Sequence, residues 1–145
     1  MHGILLWLHI LSAATWIGAA VAVLFLAPRM AVTAASGQAF ALHWVEMGRK
    51  LFTPAAIVAL ATGIGLVVAD SHSFSSAFVS IGFLMVIVGG VLGARVYAPM
   101  GRKIAAAHEA GNETSSLYAR MRTLGVAELA LLAFTVYAMA VRLGA

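Results

Sequence analysis

Four long runs of apolar residues organise the chain, with almost no polar alternation inside them. The first runs from Gly3 to about Pro28 and the second from Leu51 to Ala69. The third runs from Ala77 to Ala98, interrupted only by Arg95, and the fourth from Thr123 to Val141, interrupted only by Glu128. Each has about 19 to 26 residues, enough to cross roughly 30 Å of hydrocarbon at about 1.5 Å per residue. Backbone polar groups cannot stay unpaired in lipid, so runs of this length are helices. The pattern predicts an all-α, integral membrane four-helix bundle, residues 1–145 forming a single transmembrane domain. Residues 37–50 are expected as a short interfacial helix, with Trp44 in the headgroup belt and Arg49 and Lys50 at the water surface. Residues 101–113 extend the third helix before "GNETSS" breaks it.

Composition strengthens the membrane reading. Hydrophobic residues make up 63% of the 145 and charged residues 10%, against about 25% in a soluble domain. The mean hydropathy is +1.00. Membrane lipid is therefore the expected partner. The formal net charge is +4, but the positive residues flank the apolar runs. Topology and anionic lipid explain them, and no nucleic acid is expected. Arg29, Arg49 and Lys50 lie between the first two spans, and Arg102, Lys103, Arg120 and Arg122 between the last two. The stretch "DSHSFSS" at 70–76 has neither Lys nor Arg. The positive-inside rule then predicts cytoplasmic long connections and periplasmic termini, N-out and C-out, in a bacterial inner membrane. The N-terminus lacks a basic n-region and its apolar run exceeds an h-region, so the first helix is expected to be retained.

The absence of cysteine removes disulfides, thiolate metal sites and covalent haem attachment. No nucleotide-binding, hydrolase or zinc-protease motif occurs. Ionisable groups inside spans need a named partner. Arg95 and Glu128 lie at matching depths near the basic ends of their helices, which predicts a structural ion pair. His9 shares a helix stripe with Trp16. It has two readings: a packing histidine hydrogen-bonded to a neighbouring helix, or a cofactor or metal ligand. His2 is about 10 Å from His9 along the axis, too far to share one small ion. His72, in the 70–76 loop, is the candidate second metal ligand. "MGRK" occurs at 47–50 and again at 100–103, which a chain rich in Ala, Gly and basic flanks produces by coincidence.

"LHILSAATWIGAAVAVLFLAPRM", "MGRKLFTPAAIVALATGIGLV" and "AGNETSSLYARMRTLGVAELALLAFTVYAMAVRLG" together resemble the HemJ and CopD families of small four-helix membrane proteins. The glutamate of "AELAL" is the more CopD-like feature. The chain has no lysine in "FVSIGFLMV", where HemJ-type proteins carry one, and reads "VLGARVYAP" where they carry a "YHH"-like stretch. The HemJ resemblance implies haem b bound through His9, with Trp16 against the macrocycle and Arg29 and Arg49 as basic positions for its propionates. The leading expectation is a b-haem-binding protein acting in electron transfer or HemJ-like protoporphyrinogen oxidation. The alternatives are CopD-like copper transport, and a subunit without chemistry of its own that joins other membrane subunits or a homo-oligomer.

Overall fold

The computed structural model describes residues 2–30 and 33–144. It is all-helical, and four of its helical runs are long and apolar enough to cross a membrane. Helix α1 covers His2–Met30. The second run, Ala34–Ala69, joins α2 (Ala34–Met47) to α3 (Thr53–Ala69) through a π segment, Gly48–Phe52. The third run, Ala77–Glu109, joins α4 (Ala77–Val91) to α5 (Ala98–Glu109) through a second π segment, Leu92–Tyr97. Helix α6 covers Ser115–Ala140.

The expected interfacial helix is thus not a separate element. It is the first part of a continuous 36-residue run. Such a run is about 54 Å long, well beyond the hydrocarbon thickness, so α2 and α5 project past one side of the apolar layer. There they pack against each other. Gly101 lies against Val45 and the Ala41 carbonyl, and Gly37 lies beneath the His108 ring, so a Cβ at either position would collide. Helix α6 begins eight residues before the expected span, at Ser115.

The π segments have a local cause. Each ends just before an X-Pro step, Thr53-Pro54 and Ala98-Pro99, with a glycine six residues ahead of the proline, Gly48 and Gly93. A proline ring clashes with the carbonyl four residues back and supplies no N–H. One widened turn accommodates that clash, and the N–H before each proline reaches five residues back, Thr53 to Gly48 and Ala98 to Gly93. The helix ends are also written in the sequence. Thr33 and Ser36 form a reciprocal capping box for α2. After Glu109, Gly111 takes a φ of 68°, and Asn112 and Gly111 donate back to Ala107 and His108, a Schellman close.

Helix α1 packs against α3 and α6, and α4 packs against α6, whereas α3 and α4 touch only sparingly. The main buried cluster sits at the α2–α5 end and includes Val23, Tyr97, Met100, Ile104 and Met121. A smaller one, Ala20, Met85 and Leu132, lies nearer the middle of the bundle. The start of α1 and the described residues after α6 gather with the 70–76 loop at the opposite end. There Phe78 donates to the Leu143 carbonyl at 3.0 Å, and His2 meets Asp70 at 2.9 Å. Large apolar side chains such as Trp7, Ile10, Phe25, Leu84 and Phe134 face outward. In water that surface would be an aggregation liability; against lipid it is the ordinary outer face of a bundle.

Candidate functional site

A cavity of about 830 Å³ opens between α1, α3, α4 and α6, on the side where α3 and α4 separate. Its size falls in the range of small-molecule sites. One wall is unusually low. Gly89, Gly90 and Gly93 line it, and Trp16 from α1 lies flat enough over Gly89 that a Cβ there would overlap the indole. Trp16, Trp44 and Phe52 supply aromatic surface. Both π segments border the space, through Gly48, Arg49 and Phe52 on one side and Gly93, Ala94 and Tyr97 on the other.

The two ends of the cavity differ in chemistry. At the α2–α5 end, Arg49 and Arg102 face it. They are the third residues of the two "MGRK" repeats. Glu46 also borders this end, but Lys50 engages it at 2.6 Å. The described residues hold two ion pairs, this one and His2–Asp70, so neither guanidinium is ion-paired, although Arg49 lies near enough to Glu46 to feel its charge. Deeper in, Glu128 and Tyr97 line the space and are both buried. Side chains lean toward the N-terminus of their own helix. Tyr97 therefore leans away from the arginines and Glu128 toward them, which brings the two level from antiparallel helices. The Trp16 indole N–H donates to Glu128 Oε1 at 3.0 Å.

Glu128 thus faces α1, not Arg95. No ion pair joins Arg95 and Glu128: Arg95 is exposed, in the second π segment. Depth along two helices was matched in sequence, but azimuth was not, and the π turn changes the azimuth. His9 lies outside the cavity lining, in the α1–α3 seam. Its Nδ1–H donates to the Ala59 carbonyl at 2.9 Å, with Thr62 Oγ1 at 3.2 Å, and its ring edge rests on Gly63. His72 lies beyond the end of α3, about 10 Å of helix from the level of Thr62, with its ring edge-on to Phe78. Arg29 is exposed in the last turn of α1 and does not line the cavity. Of the residues singled out for a cofactor, Trp16 and Arg49 therefore meet at one space, while His9, His72 and Arg29 lie elsewhere. Neither Tyr97 nor Arg102 stood out in the sequence; the repeated "MGRK", read there as coincidence, is the one signal that could have found Arg102.

Among the described residues no three His, Cys, Asp or Glu side chains converge as a metal site. The cavity lining contains neither histidine nor methionine. A haem seated in it would find none of the imidazole or thioether ligands that b-type and c-type centres use. The residues present therefore do not fit His9-ligated haem in this space. No family model, curated protein or solved structure matches the chain.

Proposed function

We propose that this chain is an inner-membrane binding protein for a flat amphiphile with anionic groups, of the tetrapyrrole class, held between its helices. The cavity is the observation that carries the reading: a glycine-floored, aromatic-walled space with two arginines outside any ion pair at one end. A planar apolar ring suits the low wall of Gly90 and Gly93, beside the Trp16 indole that covers Gly89. Its carboxylates suit Arg49 and Arg102, since guanidinium groups bind carboxylates in a fixed fork. The resemblance to the HemJ family points to the same ligand class by a different route. The ring is held by shape and charge, so the proposal concerns a porphyrin or porphyrinogen and is confined to binding. The arginine end is cytoplasmic and the termini periplasmic, following the positive charge of the connections.

Quenching of tryptophan fluorescence by protoporphyrin IX in detergent measures the binding. Saturable quenching is expected. The double variant Arg49→Gln/Arg102→Gln should weaken it about tenfold or more, because it removes two charge-assisted contacts. Unchanged affinity would sink the proposal. Orientation is tested separately. The chain has no cysteine, so Ser73→Cys and Ser116→Cys each give a single thiol. An impermeant maleimide added to intact spheroplasts should label the first and not the second.

A further inference from the structure

The cavity has a second polar spot that the arginines do not explain. Tyr97 is 8% exposed and Glu128 7%. The Tyr97 hydroxyl makes no well-formed hydrogen bond among the described residues, although it lies close enough to Glu128 to interact with it by charge and as a weak hydrogen-bond neighbour. Glu128 Oε1 accepts one bond, from Trp16. A carboxylate has room for several, and a buried polar atom left unpaired is costly enough that most find partners. Here the unused capacity faces an open space. We infer that Glu128 and Tyr97 form a hydrogen-bonding subsite that accepts N–H donors from the interior of the ligand. For a tetrapyrrole, the ligand class on which this inference rests, those donors are the pyrrole N–H groups, which turn out of the mean plane when the bound ring saddles or is a porphyrinogen. Tyr97 and Arg102 are five residues apart, about 7 Å along the helix, so one ligand reaches both, its ring at the subsite and its carboxylates at the arginine end. Trp16 is a positioning residue: its indole holds the carboxyl group toward the cavity.

The test compares two probes on the full chain in detergent, by tryptophan quenching. Protoporphyrin IX has pyrrole N–H groups. Its nickel complex has the same outline and carboxylates, but no N–H and a square-planar metal. Glu128→Gln should lower affinity for the free base about tenfold, and for the nickel complex less than twofold. Tyr97→Phe, which removes one hydroxyl and no charge, should lower affinity for the free base about threefold with the same selectivity, and it decides the matter if Glu128→Gln does not fold. Equal loss for both probes, or loss for neither, overturns the subsite. Arg49→Gln/Arg102→Gln should weaken both probes alike. If it weakens neither, the arginine reading of the cavity fails, and the Glu128 comparison still decides the subsite on its own.

Discussion

The bundle has two polar seams, and they are built on opposite principles. Between α1 and α3, His9 is closed in: its Nδ1–H is satisfied by Ala59, Thr62 stands beside it, and Gly63 lets its ring lie against the helix. Leu5 fills the space over Gly65 one turn further out. Between α1, α4 and α6, Glu128 accepts one bond while Tyr97 has none, and an open volume faces them. Small residues occur in both seams. In the first they admit a neighbouring side chain and the gap closes. In the second Gly89 admits the Trp16 indole, but Gly90 and Gly93 floor a space that no side chain fills. An intramembrane histidine is therefore not by itself the sign of a ligand site; the sign is polar capacity left over beside a void.

The largest expected effect comes from crowding Trp16 in the second seam. Gly89→Ala places a methyl group where the Trp16 indole lies, so the ring must move and its bond to Glu128 must break. A loss of about 3 kcal/mol is expected, read as a lower thermal midpoint in detergent, together with loss of porphyrin quenching. The same substitution at Gly90, which also lines the cavity but has open space beyond its Cα, should leave the midpoint nearly unchanged. A smaller effect is expected in the closed seam. His9→Ala removes one buried hydrogen bond and leaves a small void, costing about 2 kcal/mol of stability. Protoporphyrin affinity should stay within about twofold, provided the measurement is made well below the lowered midpoint. Loss of binding with stability intact would erase the contrast between the seams and restore His9 as a ligand. The smallest effect is expected at Arg95→Ala, within about 0.5 kcal/mol, because the side chain is exposed and has no ion-pair partner. A loss as large as that at His9 would revive a role for Arg95 near Glu128.

The four apolar runs were readable because lipid imposes length and internal hydrogen bonding on every span, but the starts of the second and fourth helical runs were not: they begin earlier, at Ala34 and Ser115, where polar residues continue the helix beyond the apolar stretch. The site was readable only in part. His9 stood out as an anomaly in an apolar run, but whether an imidazole is satisfied depends on which residue faces it across fifty positions of sequence. Matching Arg95 to Glu128 used depth alone, and two groups at one depth can point to opposite sides of their helices. Trp16 was chosen for its stripe with His9, yet the two separate in space because α1 faces α3 at one level and α4 and α6 at another. Tyr97 had no distinguishing pattern. Its position depends on a π turn whose only trace in the sequence is a glycine six residues before a proline.

That trace has a further consequence. A π turn is an α-helix with one residue inserted, and each residue of an α-helix advances the chain by about 100°. The two parts of each long run are therefore out of phase by that angle. In the second run, one part turns its contact face to α5 and the other to α1; in the third, one part faces α6 and the other α2. Arg49 and Tyr97 both lie within the inserted turns, where the face changes. The extra residue works as a phase shifter. It lets one unbroken helix serve two different partners and turns the residues at the changeover toward the space between them.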